Sequence, residues 1–232
     1  MTTHVRSTLD RELIEINEGL LRIGNLVDVA IERAVQALAH RDQGLARQVD
    51  ADDASVNALR FEIEEACLAL IARQQPAATD LRAVLTAFSI VTDLERMGDH
   101  AAGIARTVLH MGDEPLLKPL IDLPRMAEIC REMLRLSLRA YVERDAEKAR
   151  PIVAMDDSVD ALYTQTFREI LSYMVEDPRT TSRGLYLMFA AHNLERIGDR
   201  VTNIVERILF MTSGEMRELN PKVTKAVTDQ LE

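Results

Sequence analysis

Two six-residue stretches hold the side chains best suited to chemistry: Leu94-Glu95-Arg96-Met97-Gly98-Asp99 and Leu194-Glu195-Arg196-Ile197-Gly198-Asp199. On a helix, positions four apart share a flank, so each stretch presents a carboxylate pair. Like charges at that spacing oppose the helix by roughly 0.2–0.5 kcal/mol. A glycine between them costs up to about 1 kcal/mol against alanine. A chain that keeps both features in two copies calls for an explanation. One is a bound cation, with Gly98 and Gly198 admitting a close neighbour helix. The other is an ion pair with arginines such as Arg96, Arg196 or Arg200, or with a neighbouring helix. The stretches alone leave both open.

Counting around the preceding turn adds further acids. If the chain reverses at Pro76, Asp53 lies 23 residues before the turn and Asp99 lies 23 after it. Asn57 lies 19 before and Glu95 lies 19 after. Antiparallel helices rise at the same rate, so these four should share one level. Around Pro178 the same holds for Asp156 with Asp199 and for Asp160 with Glu195. Each motif should therefore face an Asp-x-x-x-Asn or Asp-x-x-x-Asp on its neighbour. Such oxygen-rich sets suit hard cations such as Mg, Ca, Mn or ferric iron. Asp28 and Glu32 fall near the level of the first set, whereas the matching helix of the second half has Cys130 and Leu134 there, so the two sites should differ.

The competing class is a carboxylate-bridged di-metal enzyme of the helical-bundle type, which uses a Glu-x-x-His pair on two helices. Here Gly98 and Gly198 stand three residues after Glu95 and Glu195. His192 precedes Glu195 by three residues, but Thr92 stands in the equivalent place of the first half. No glycine-rich phosphate loop, nucleophile elbow or nucleophilic cysteine context is visible. The reading is therefore of a chain without catalysis of its own.

The elements that must position these groups are helices throughout. Apolar residues recur at alternating spacings of three and four from Leu13 to Leu38. A second helix is predicted over about 45–73, ended by Gln75-Pro76. A third, which Thr79 or Asp80 can cap, runs to about Met111. After a linker of about 112–123, helices are predicted over about 124–144, 146–174 and 180–212, with Ser213-Gly214 ending the last. The halves match residue by residue. Arg41-Asp42 pairs with Arg144-Asp145, Pro76 with Pro178, and one acidic motif with the other, at an offset drifting from 103 to 102 to 100. The predicted fold is all-α, a tandem duplication of two antiparallel three-helix bundles with six helices. The first spans 1–112, the second 113–214, and a polar tail covers 215–232.

Composition agrees. At 232 residues and 47% hydrophobic the chain can bury a core, and with 4% aromatics and no tryptophan that core must be aliphatic. A net charge of −10 argues against a nucleic-acid partner. No run of eighteen apolar residues predicts a membrane span, and no signal peptide is visible. Cys67 and Cys130, without metal-type spacing, should pack in the core of a cytosolic protein.

The doubled Leu-Glu-Arg-x-Gly-Asp, each copy in the last helix of a three-helix unit, resembles the PhoU family of phosphate-specific transport regulators. Ile63-Glu64-Glu65-Ala66-Cys67, Arg73-Gln74-Gln75-Pro76, Asp80-Leu81-Arg82 and Tyr173-Met174-Val175-Glu176-Asp177-Pro178-Arg179-Thr180 agree, and the likeness spans about 10–212. It implies a cytoplasmic negative regulator of the phosphate-starvation response. Such a regulator couples the phosphate ABC transporter, through its ATPase subunit, to a sensor histidine kinase, and is usually a homodimer. It also implies multinuclear metal clusters on the family's acidic motif, which maps onto Glu95, Asp99, Glu195, Asp199, Asp156 and Asp160. Asp53 matches too, but Asn57 replaces the second acid and lowers the charge of the first site. Iron, manganese, magnesium and zinc are the ions this implies, without choosing among them.

Overall fold

The computed structural model describes residues 2–215 and 219, and among these the regular structure is all helical, with no strand. Six helices follow in order: α1 (Thr2–His40), α2 (Gln43–Gln74), α3 (Ala78–Met111), α4 (Asp122–Glu143), α5 (Ala146–Glu176) and α6 (Thr181–Ser213). A 3₁₀ turn, Pro178–Thr180, joins α5 to α6. The expected polar tail falls outside the described residues except for Glu215 and Leu219.

Local chemistry explains most boundaries. The duplicated Arg-Asp pairs are the two α–α turns. Arg41 and Arg144 adopt left-handed backbone at φ 56° and 52°. The aspartate after each then caps the next helix: Asp42 accepts from the Leu45 amide, and Asp145 from those of Glu147 and Lys148. Gln75, left-handed before Pro76, ends α2. Gly112 and Gly214, at φ 56° and 80°, end α3 and α6, where a side chain would be strained. The cap expected at Thr79 or Asp80 is not used. α3 starts earlier, at Ala78, with no side-chain cap, and Asp80 sits in its first turn, where a negative charge favours the helix dipole.

α1, α2 and α3 pack on one another, as do α4, α5 and α6. One apolar core runs through both sets, because α3 lies against α6 and α1 against α4. The apolar stripes of α3 and α6 are fully withdrawn from water, Leu94, Met97, Leu194 and Ile197 among them. Both cysteines are buried free thiols, and burial pushes Cys67 up to about 12.

The contact between the halves brings equivalent positions of α3 and α6 together. Arg200 and Asn203 of α6 donate to Asp93 of α3, at 3.5 and 3.3 Å. In the mirrored place His100 bonds Asn193 at 3.0 Å, and Gly103 lies against the same amide. Elsewhere between the halves, Arg131 and Arg135 of α4 both donate to Asp28 of α1, and Arg131 also reaches Glu32 at 2.9 Å. Asp28 and Glu32 thus cement α1 to α4 instead of joining the acids of α2 and α3, a correction to the level count, which ignored helical phase. In the linker, Lys118 is buried between Asp122 and Glu169 and ties residues 112–121 to α5.

Candidate functional site

The facing aspartates Asp53 and Asp156 stand level with the motif glycines. In the first half, a Cβ built on Gly98 would stand 3.3 Å from Asp53 Oδ1 and 3.1 Å from Val56 Cγ1. In the second, one built on Gly198 would stand 2.7 Å from Asp156 Oδ1. The glycine of each motif is therefore the seat of the facing aspartate, and the cost of a mid-helix glycine is offset by that approach. Asp156 is wholly buried there, while Asp53 keeps partial access to water.

The first patch joins Asp53 and Asn57 of α2 to Glu95 and Asp99 of α3. Asn57 donates to Asp53 Oδ2 at 3.1 Å. Asp53 Oδ1 is buried and receives no hydrogen bond. Burial, then the charge of Asp99, pushes the Asp53 carboxyl above its ordinary range, with Arg106 opposing and Glu95 reinforcing the rise. Glu95 accepts from Arg60 at 2.9 Å, and the same guanidinium holds Glu64 at 2.8 Å. In the second patch, Asp156 of α5 is seated on Gly198 between Glu195 and Asp199 of α6, and Asp160, one turn further along α5, borders an open surface pocket with Asp157 and Arg168. Arg196 donates to Asp199 at 2.7 Å, and His192 lies 3.7 Å from Glu195.

The ion-pair explanation of the motif is realised in part. Arginines take one carboxylate in each half, although Arg60, the partner of Glu95, was not among those foreseen. It stands one turn beyond Asn57 on α2, so the spacing carried that signal. Tyr163 occupies the equivalent place in the second half. Among the described residues no three His, Cys, Asp or Glu side chains stand together as a ready coordination shell. The donor set nonetheless fits a hard cation. Its carboxylates and the Asn57 carbonyl offer oxygens, an orphaned carboxylate oxygen lies in the first patch, and burial, then the charge of Asp99, raises Asp53. A cleft of about 270 Å³ between α1 and α2 opens onto Asp53, Val56 and Gly98.

A duplicated three-helix unit whose last helix carries a carboxylate pair flanking a seat glycine defines a class of helical-bundle proteins. The PhoU domain model matches this chain twice, over residues 20–108 and 123–208. The phosphate-specific transport system accessory protein PhoU homolog of Pseudomonas putida is 37% identical, covering 92% of this chain and 84% of that relative. That of Aquifex aeolicus is 38% identical, covering 90% and 94%. The crystal structure of the phosphate transport system regulatory protein PhoU from Streptococcus pneumoniae superposes with a TM-score of 0.85 at 33% identity, covering 91% of this chain and all of the other. The chain belongs to the PhoU family.

Proposed function

We propose that the chain is a cytoplasmic accessory protein of phosphate uptake that keeps the phosphate-starvation response off when phosphate is plentiful. It acts as an adaptor, without catalysis, between the ATPase subunit of a phosphate ABC transporter and a sensor histidine kinase, and it works as a homodimer. The observation that carries this reading is the family membership of both halves, with relatives named for the phosphate-specific transport system. No helix among the described residues is long and apolar enough to cross a membrane, which accords with an accessory role beside the transporter.

The acidic patches are the metal-binding part of this reading. Asp53, Asn57, Glu95 and Asp99 would hold one cation site, and Asp156, Asp160, Glu195 and Asp199 the other. A bound cation would lower the repulsion among these acids and brace each α–α hairpin. The sites are unequal: Asn57 and Arg60 lower the net negative charge of the first, and Asp160 and Tyr163 stand in their places in the second.

The regulatory reading is tested by deleting the gene from its host. Phosphate-starvation genes are expected to be expressed in phosphate-replete medium, and pull-down from replete cells is expected to recover the ATPase subunit and the kinase. Unchanged phosphate-regulated expression together with unchanged phosphate uptake would overturn it.

A further inference from the structure

The seam where α3 lies on α6 concentrates positive charge in a chain whose net charge is −10. The Asp93–Arg200 and His100–Asn193 pairs fix the antiparallel register of the two helices. Arg96 lies three residues past Asp93 and four before His100, so it shares their flank of α3. Arg196 lies three past Asn193 and four before Arg200, so it shares theirs on α6. The two motif arginines therefore stand level, on facing flanks at the middle of the seam. Arg200 lies deeper, its side chain 22% exposed against 38% for Arg196, and Arg96 is open to solvent.

Carboxylates answer only part of this charge. Arg200 reaches Asp93 through Nη1 at 3.5 Å, and the same aspartate oxygen also accepts from Asn203. Arg200 Nε is buried with no hydrogen-bond partner, and a buried donor left so is a standing cost. Arg196 turns one nitrogen to Asp199 at 2.7 Å. Arg96 makes no such bond to the equivalent Asp99, nor any ion pair or hydrogen bond from its side chain among the described residues. His100 feels the excess. Burial lowers its pKa, the Asn193 bond opposes that, and the charges of Arg200 and Arg196 add to the lowering. Within the seam, three guanidinium groups thus meet one carboxylate, Asp93.

We infer that the middle of the α3–α6 seam binds a tetrahedral oxyanion, and that this anion is free orthophosphate. Arg96 and Arg196 close on it from the two helices, and Arg200 donates from below. Guanidinium forks pair with the oxygens of such an anion two bonds at a time, which a spherical anion cannot accept. The arginine of each Leu-Glu-Arg-x-Gly-Asp motif thereby has a role beside its two acids. The anion site stands on the geometry alone. The choice of orthophosphate rests on the regulatory reading proposed above, in which the supply of that anion is the input.

Equilibrium dialysis of the full chain against radiolabelled orthophosphate is the test. Wild type is expected to bind it, with sulfate displacing it and chloride at equal ionic strength leaving it in place. Arg96→Gln, at an exposed residue with no partner to lose, should weaken binding about tenfold or more and leave far-UV circular dichroism unchanged. Arg200→Lys, which keeps a charge beside Asp93 but not the fork, should weaken it as well. Arg150→Gln, at an exposed arginine of α5, should stay within about twofold of wild type. So should the Glu95→Ala/Glu195→Ala variant; loss there would place the phosphate on bound cations and overturn the inference. No binding by wild type at millimolar phosphate, no loss in Arg96→Gln, equal loss in Arg150→Gln, or displacement by chloride would also overturn it. Co-sedimentation with vesicles of a phosphorylated phosphatidylinositol that Arg96→Gln abolishes, without orthophosphate binding, would give the seam to a lipid headgroup instead. The gene deletion is scored in expression and uptake and this test in binding, so each reading can fail without the other.

Discussion

The seat glycines offer the sharpest test of the packing. Replacing Gly198 with alanine gains about 1 kcal/mol of helix propensity. The new Cβ, however, would stand 2.7 Å from Asp156 Oδ1, well inside contact distance. Asp156 is short and 0% exposed, so its carboxylate has no solvent to swing into. Overpacking of this kind costs roughly 1–3 kcal/mol, and displacing a buried carboxylate puts the cost at the upper end. The net expectation is a loss of about 1–2 kcal/mol, or roughly 2–4 °C of melting temperature per kcal/mol for a chain of this size. At Gly98 the nearest atoms are 3.1 and 3.3 Å away and Asp53 is only partly buried, so a small shift relieves the contact. There the two effects should cancel to within about 0.5 kcal/mol. Urea titration followed by far-UV circular dichroism reads both, as midpoint shifts at constant slope. A Gly198→Ala variant as stable as wild type, or a Gly98→Ala variant that loses as much, would refute the seating of Asp156 on Gly198.

Three further expectations follow from the same geometry. Burial raises the Asp28 carboxyl, but the bonds and charges of Arg131 and Arg135 outweigh it and hold it below its ordinary value. Its contribution is therefore complete above the unfolded carboxylate range and lost as pH falls through the lowered value; Asp28→Asn should cost about 1.5–3 kcal/mol at neutral pH and flatten the acid limb of the stability curve. Removing the competing guanidinium by Arg60→Ala should tighten Mn²⁺ binding at the first patch in calorimetry, whereas Glu95→Ala should weaken it; equal affinities in both would contradict Arg60 as a competitor. Cys67 and Cys130 are buried, with both thiols pushed up by burial, so a thiol reagent should label neither in the native chain and both after unfolding.

Helix content, order and turns were legible because each rests on local signals: three-and-four periodicity, Arg-Asp turns, glycine stops. Levels across each hairpin were legible as well, since two antiparallel helices rise equally from a known turn. Phase across helices distant in sequence was not. Asp28 stood at the right height but turned toward Arg131 and Arg135, which the sequence gives no reason to place opposite α1. Arg60 stands a turn away from Asn57, and only the length of its guanidinium side chain brings it to Glu95. The start of α3 was misplaced because Ala77 ends the turn without any side-chain cap. Duplication itself marked where the sites diverge, at Asn57 against Asp160 and Arg60 against Tyr163.

The central claim, that the duplicated motif forms two related but unequal cation sites, is tested most directly by elemental analysis of the full chain purified without chelator. Wild type should carry stoichiometric metal, Glu195→Ala should lose more of it than Glu95→Ala, and the Glu95→Ala/Glu195→Ala variant should retain little. Wild type and the double variant both lacking stoichiometric metal would contradict it.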